Sequence, residues 1–187
     1  SFPGKASTVF IASGENYADA LAGAPAAGAQ SAPILLVKRD ALPSSVQTEL
    51  ERLDPDRIVV LGGTGAVSAG VESALAATAS VVRLAGDDRF GTSAAIARAY
   101  PGSSGTVTVA SGETFPDALS VAAPAGDLGA PLLLVRRDSV PAATLDLYSQ
   151  LNPGRVIVAG GSGTISDSVV ATLADPSKPV ASSDAQR

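Results

Sequence analysis

The stretch TVFIASGENYADALAGAPAAGAQSAPILLVKRD at residues 8–40 returns 98 residues later as TVTVASGETFPDALSVAAPAGDLGAPLLLVRRD at residues 106–138. The correspondence continues without a gap to residues 76 and 174, and roughly 45% of the paired positions are identical. Self-similarity at a fixed spacing is typical of a duplicated structural unit. We therefore predict that the chain contains two copies of one fold.

Each copy alternates short apolar runs with helical patterns. In copy one, strands rich in apolar and β-branched residues are predicted to begin at Val9, Ile34 and Arg57, and glycine or polar residues end them. Pro25 in copy one and Pro124 in copy two predict a kink or an early stop in the first helix. Strands that are apolar on both faces and alternate with helices indicate a parallel sheet covered on both sides. The predicted fold class is α/β, with tandem three-layer units and mainly parallel sheets.

The two copies begin differently. Thr92 or Ser93 is predicted to cap a helix that runs to Tyr100 in front of copy two, and no such element precedes copy one. We expect unit 1 at residues 1–80, truncated on its N-terminal side, unit 2 at residues 81–178 and a polar tail at residues 179–187. Part of the apolar surface of unit 1 should then be uncovered. This predicts a homo-oligomer, or contact with a missing repeat of a longer parent chain.

Composition narrows the classes of function. The net charge of −5 argues against a nucleic-acid partner, because phosphate binding needs a basic face. The sequence has no cysteine and no histidine, so it lacks thiol chemistry and the commonest general base and metal ligand. No stretch reaches the ~18 apolar residues of a membrane span. A binding module without a cofactor is favoured over an enzyme.

Carboxylates follow the first strand of each copy. Glu15 and Asp19 in copy one correspond to Glu113 and Asp117 in copy two. In open parallel sheets, ligands bind near the carboxyl ends of strands, and carboxylate oxygens are ligands for Mg²⁺ or Ca²⁺. The competing interpretation is that Asp19 caps a helix while Glu15 is solvated. The residue types leave a metal site undecided.

Two further features recur at the same strand ends. Arg39 and Arg137 provide a basic spot suited to phosphate or carboxylate, or each pairs with the acid that follows it. Glycine-rich loops at residues 62–65 and 160–163 could cradle an anion with backbone N–H groups, or form tight turns between strand and helix.

The combined motifs resemble a known family. They comprise Arg-x-x-Gly-x-x-Arg-Phe-x-Thr at residues 83–92, Ala-Ser-Gly-Glu at 110–113, Phe-x-Asp-Ala-Leu at 115–119, Ala-Pro-Leu-Leu-Leu at 130–134 and Val-x-Gly-Gly at 158–161. Together they are similar to the cell-wall-binding repeat 2 family of Gram-positive surface proteins. The resemblance implies Rossmann-like or Toprim-like units, usually three in a pseudo-threefold arrangement. It also implies an extracellular location and non-covalent anchoring of a carrier protein to an anionic secondary wall polymer.

The resemblance also implies where the polymer binds. The expected polymer-binding residues are the Pro-Ile-Leu-Leu segment of copy one, its counterpart in copy two and the arginine after each: Pro33, Ile34, Leu35, Leu36, Arg39, Pro131, Leu132, Leu133, Leu134 and Arg137. The junction motif is present once, so it is expected to lock one repeat onto the next through Arg83, Gly86, Arg89 and Thr92.

The predicted function is that of a non-catalytic wall-binding module. The alternative is a metal-dependent hydrolase of phosphate or glycan substrates that uses Glu15 with Asp19 and Glu113 with Asp117. A purely structural assembly domain is a third possibility. Two equal copies of a site favour the wall-binding module over the hydrolase, because a polymer that occupies both sites at once binds more tightly than one that occupies a single site.

Overall fold

The computed structural model describes residue 2 and residues 4–175. In copy one the order is β1 (Thr8–Ser13), α1 (Ala18–Ala29), β2 (Ile34–Val37), α2 (Ser44–Leu53), β3 (Arg57–Leu61), α3 (Ala69–Leu75) and β4 (Ser80–Leu84). The chain continues with α4 (Arg89–Ala99), β5 (Thr106–Ser111), α5 (Pro116–Asp127), β6 (Leu132–Val135), α6 (Ala142–Leu151), β7 (Arg155–Ala159) and α7 (Asp167–Ala174). The tail predicted at residues 179–187 lies outside the described residues.

Two sheets carry the strands. The first has the order β2-β1-β3-β4 and the second the order β6-β5-β7. In the described part of the chain every pair of these strands is parallel, with registers such as Phe10 opposite Ile34 and Thr108 opposite Leu132. The predicted α/β class with two repeated parallel-sheet units is confirmed.

Alternate residues of each strand serve two different cores. In the first sheet, Phe10 and Val59 pack with α1, whereas Val9 and Ile58 pack with α2 and α3. Successive side chains of a strand point to opposite faces, so a strand that is apolar throughout can bury both. This explains why the strands show continuous apolar runs rather than alternation.

The core on the α1 side is shared by both copies. It joins residues of β1 and α1, such as Phe10 and Ala22, to residues of α4, α5 and β6, such as Phe90, Val121 and Leu134. Helices α1 and α5 approach so closely that a Cβ added at Gly28 would lie 3.5 Å from the Cα of Gly126. Small side chains permit this packing, and the two copies therefore form one body.

The proline prediction was wrong where it favoured an early stop. Helix α1 continues past Pro25 to Ala29, and α5 continues past Pro124 to Asp127. A Cβ at Gly126 would lie 3.6 Å from the Cα of Pro25, so the proline sits within the α1–α5 contact. Burial against a second helix outweighs the one backbone hydrogen bond that proline removes.

The cap predicted for α4 was also wrong. Asp88 caps this helix by accepting the N–H of Gly91 at 2.8 Å, so α4 begins at Arg89 rather than after Thr92 or Ser93. The Thr92 hydroxyl instead accepts the N–H of Gly86 at 3.1 Å, and Ser93 Oγ accepts the N–H of Leu134 at 3.1 Å. Thr92 thus binds the turn before its helix, and Ser93, whose hydroxyl also donates to the carbonyl of Phe90 at 2.9 Å, binds β6.

Strands β2 and β6 differ in how they are covered. Helix α4 packs along β6, the outer strand of the second sheet, and Leu134 is 1% exposed. The equivalent residue of β2, Leu36, is 50% exposed, and no helix precedes β1 among the described residues. The uncovered apolar surface expected for unit 1 lies here.

Strand β4 and helix α4, which follow one another at the junction of the copies, belong to different sheets. β4 pairs with β3 in the first sheet, whereas α4 packs on the second. The division expected between residues 80 and 81 falls inside β4.

Candidate functional site

Glu15 and Glu113 hold the loops that follow β2 and β6. Glu15 Oε2 accepts the backbone N–H of Arg39 at 3.0 Å, and Glu113 Oε2 accepts that of Arg137 at 3.2 Å. The carbonyl of Arg39 in turn accepts the N–H of Ser68, as that of Arg137 does from Ser166. Each glutamate thus fixes the backbone of the arginine that the sequence singles out, a role that its spacing did not reveal.

The Arg39 and Arg137 side chains lie at the surface and are about half exposed. Arg39 pairs with Asp40 at 2.7 Å, and Arg137 pairs with Asp138 at 2.9 Å. Arg137 Nε also donates to the carbonyl of Gly163 at 3.1 Å, at the glycine loop. Exposed ion pairs of this kind are weak, so an incoming anion can compete for either guanidinium.

The Pro-Ile-Leu-Leu segment of copy one and its counterpart in copy two differ in burial. Pro33 and Pro131 are buried and accept strand hydrogen bonds through their carbonyls. Leu132, Leu133 and Leu134 are at most 1% exposed, whereas their counterparts in copy one are partly exposed, most of all Leu36. The same segment therefore presents side chains to solvent only in copy one.

Asp19 is buried in the first turn of α1, and only 7% of the residue is exposed. It caps nothing, because Asn16 Oδ1 accepts the N–H of Ala18 at the helix start. Its carboxylate lies against Gly62, so a Cβ at that position would clash with Asp19 Oδ2. The φ of Gly62, 96°, also lies in the left-handed region that favours glycine. Burial raises the pKa of the Asp19 carboxyl, and the charge of Arg89 partly offsets that rise. The glycine loop is thus a tight turn shaped around a carboxylate.

The junction residues have separate roles. Arg83 donates to the carbonyls of Gly62 and Val67 and to Glu72, all within the first copy. Arg89 spans the copies, since it donates to the carbonyl of Gly112 at 2.6 Å and lies over the ring of Tyr17 at 5.8 Å. Gly86 packs directly on the first turn of α4, where Thr92 binds its N–H.

Aromatic residues whose contacts the sequence did not reveal lie at and near the junction of the copies. Tyr17 and Phe115 lie 5.6 Å apart between ring centroids, and the Tyr17 hydroxyl donates to the carbonyl of Glu113. Phe90 lies beneath the guanidinium of Arg136 at 4.7 Å. Tyr17 and Phe115 occupy equivalent repeat positions, and that pairing was the signal available in the sequence.

Clefts meet where β4 turns into α4. One, of about 320 Å³, is lined by residues that include Asp19, Gly63 and Thr92. A second, of about 310 Å³, opens toward copy two beside Glu113. Asp88 and Arg89 line both, so polar surface continues from one repeat to the next. In the described part of the chain, no three acidic side chains are grouped to hold a metal ion.

We expect Asp19→Asn to increase the free energy of unfolding at neutral pH. The folded protein holds the Asp19 proton to a higher pH than the unfolded chain does, so ionised Asp19 opposes folding. The gain should grow as pH rises from about 4, the ordinary range for aspartate, and disappear below it. Urea unfolding of both proteins across this pH range measures the effect. A gain that does not change with pH would contradict it.

The model of the family described as cell wall binding domain 2 (CWB2) matches residues 4–72 and 83–170. The chain belongs to the CWB2 family. The two matched segments correspond to the two copies of the repeat, and the resemblance found in the motifs is confirmed.

Curated relatives carry the same module within longer chains. The CWB2 chain is 32% identical over 174 residues to N-acetylmuramoyl-L-alanine amidase LytC of Bacillus subtilis (strain 168), covering 92% of this chain and 35% of that protein. It is 33% identical over 162 residues to the amidase enhancer of the same organism, covering 87% of this chain and 22% of that protein. The chain therefore spans about a third or less of these relatives.

Solved structures agree with the fold. Cwp6 from Clostridium difficile superposes with a TM-score of 0.85 at 31% identity, covering 91% of this chain and 27% of that one. Cwp8 from the same organism gives a TM-score of 0.82 at 32% identity, covering 92% and 29%. The protein is a cell-wall-binding module of the bacterial surface. No helix in the described residues has the length and apolar character needed to cross a membrane.

Proposed function

We propose that this module is non-catalytic and anchors its carrier protein to an anionic secondary polymer of the cell wall. The observation that carries the proposal is the matched pair Arg39 and Arg137. Each guanidinium is exposed, each follows the same strand of its copy, and each backbone is fixed by an equivalent glutamate. Repeated anion contacts on one rigid body suit a polymer of repeating charge.

Short-range contacts must carry this binding. The net charge of −5 repels an anionic polymer at a distance, so the guanidinium groups act only where they touch it. An arginine offers two parallel donors to a phosphate or carboxylate and stays charged at any physiological pH.

The Pro-Ile-Leu-Leu segments contribute differently in the two copies under this proposal. In copy two, buried Leu132, Leu133 and Leu134 hold β6 in the core and thereby position Arg137. In copy one, the half-exposed Leu36 lies near Arg39 and would contact the polymer directly where no helix of another unit covers β2.

A non-catalytic role is supported by how the candidate catalytic carboxylates are used. Glu15 and Glu113 each accept a backbone N–H, and Asp19 lies against a glycine turn. The sequence contains no histidine to act as a base. The amidase relative is matched over only 35% of its length.

The double variant Arg39→Ala with Arg137→Ala tests the proposal. Loss of one charge-assisted contact should weaken a site roughly ten- to hundredfold, and loss of both should compound the effect on a polymer. Co-sedimentation with native cell walls at low and moderate salt measures binding, and acid-stripped walls report on the secondary polymer.

The matched control is Arg57→Ala with Arg155→Ala. These arginines are also equivalent and exposed, but they lie at the N-terminal ends of β3 and β7, whereas Arg39 and Arg137 follow the C-terminal ends of β2 and β6. The control removes the same charge and should keep wall binding. Equal binding by both double variants, with circular dichroism unchanged, would remove Arg39 and Arg137 from the site.

We propose further that the uncovered edge of β2 takes a helix from another repeat unit, in a second copy of the chain or in the parent protein. The contact in copy two is the precedent, since α4 covers β6 and Ser93 binds the N–H of Leu134.

Leu36→Glu should therefore reduce self-association of the chain in sedimentation equilibrium. Val82→Glu, on the exposed face of β4, is the control. A monomeric parent protein at all concentrations would contradict the homo-oligomer.

A further inference from the structure

The cleft beside Asp19 lies apart from the arginines that the proposed function uses. It is formed where three segments meet after β1, β3 and β4, and its volume is about 320 Å³. Its lining comprises Asn16, Asp19, Gly63, Gly65, Ala66, Gly86, Asp87, Asp88, Arg89 and Thr92. This volume is at the lower end of the range of small-molecule sites, ~300–1,000 Å³.

Asp19 lines this cleft with a carboxylate that is open to the water of the cleft. The residue is 93% buried, being 7% exposed, and no side-chain or backbone group of the described residues donates a hydrogen bond to its carboxylate. No side-chain oxygen that is closed off from solvent lacks a partner among the described residues, so water in the cleft reaches this carboxylate. A ligand with a hydroxyl or ammonium donor would take the place of that water.

The neighbouring polar groups are already engaged. Asp88 Oδ1 accepts the N–H of Gly91, and Thr92 Oγ1 accepts that of Gly86. Arg89 points one N–H group at the carbonyl of Gly112 in copy two. The Asp19 carboxylate is therefore the acceptor that the cleft leaves open to a ligand.

The charge of the cleft selects the ligand. Asp19, Asp87 and Asp88 line it together with a single cation, Arg89, so a phosphate would meet net repulsion. A bare metal ion is also disfavoured, because no group of three acidic side chains among the described residues could hold one. Hydroxyl and ammonium groups are donors that an isolated carboxylate binds well.

We propose that the Asp19 cleft binds a sugar residue of the wall polymer through its hydroxyl or ammonium donors, with the Asp19 carboxylate as acceptor. This inference rests on the proposed function. It divides the polymer between two kinds of subsite: charged groups bind at Arg39 and Arg137, and a sugar ring enters the cleft. The second cleft, which shares Asp88 and Arg89, gives a chain of sugars a continuous path toward copy two.

Copy two offers a matched control. Asp117 occupies the repeat position of Asp19 and lies against Gly160, where a Cβ would be 2.6 Å from Asp117 Oδ2. It is more exposed than Asp19, and the described residues give it no counterpart of the β4–α4 junction. Asp117→Asn therefore makes the same chemical change without altering the cleft.

The test is a titration of the whole chain followed by amide chemical shifts in ¹H–¹⁵N NMR spectra. The probes are methyl glucoside, glucosamine and inorganic phosphate. Both sugars should shift the amides of Asp19, Gly63, Gly65 and Thr92, and phosphate should not. Asp19→Asn and Asp19→Ala should weaken sugar binding roughly ten- to hundredfold, and Asp117→Asn should leave it unchanged.

The outcomes separate cleanly. Tighter binding of glucosamine assigns the donor as ammonium, and equal binding of both sugars assigns it as hydroxyl. Cleft shifts from phosphate alone, no shifts from either sugar, or unchanged sugar binding in Asp19→Ala would each overturn the proposal. Wall sedimentation of the arginine variants is independent, so loss of wall binding without sugar shifts would overturn this inference alone.

Discussion

Arg83→Met should lower the free energy of unfolding by about 3 kcal/mol, because it removes one partner from a partly buried ionic network. Arg83 donates to the carbonyls of Gly62 and Val67 at 2.6 and 2.9 Å and to Glu72 at 2.8 Å, and its side chain is only 16% exposed. Methionine would leave two carbonyls and a carboxylate without a donor.

Urea unfolding followed by circular dichroism measures this loss. The control is Arg52→Met, which breaks the exposed pair with Glu49 on α2 and should not shift the midpoint measurably. A midpoint for Arg83→Met equal to that of the control would show that the network contributes little. The same variant should also loosen the glycine loop beside Asp19, because Arg83 holds the Gly62 carbonyl.

Gly86→Ala should destabilise the fold by about 3 kcal/mol, the upper end of the cost of overpacking. A Cβ at residue 86 would lie 2.5 Å from the Cα of Gly91 and 2.7 Å from the backbone N of Thr92. Both are backbone atoms of α4 that cannot move without displacing the helix. Because α4 covers β6 and carries Arg89, wall binding should fall together with stability.

Gly63→Ala is the matched control for Gly86→Ala. A Cβ at Gly63 would have no atom within 4 Å, and this glycine is not among those with positive φ. The control should therefore unfold like the natural sequence in thermal and urea melts. An unperturbed Gly86→Ala protein would mean that the β4–α4 turn tolerates a shift of its helix.

The internal repeat allowed most of the fold to be predicted. Apolar strand runs such as residues 58–61, followed by glycines and a helix start, depend on local sequence, and at the start of α3 Ser68 Oγ accepts the N–H of Val71. The predicted boundary of a helix was wrong where a distant residue took the hydroxyl group that was expected to cap it. Ser93 could cap a helix, but its hydroxyl binds the N–H of Leu134 on a strand about forty residues away.

The candidate site was predictable only in part. Glu15, Asp19 and Arg39 were found because they recur at strand ends, yet their spacing could not tell that Glu15 holds Arg39 and that Asp19 faces a glycine turn. The Leu132–Leu134 run and its counterpart in copy one have similar sequences and very different exposure. That difference arises from α4, which the sequence places before copy two and the fold lays across β6.

Local sequence was enough to predict the two α/β units and their parallel sheets, because strand and helix periodicity and turn residues act locally and recur in both copies. The family followed from the resemblance of the combined motifs. The tertiary structure decided that the copies share one core through α1 and α5, and that Arg89 bridges them while Arg83 braces the first. It also decided that Asp19 is largely enclosed while its carboxylate opens to a cleft and accepts no hydrogen bond from the described residues. Those properties depend on which distant groups meet and exclude water, and burial and hydrogen-bond partnership are settled only when the units pack.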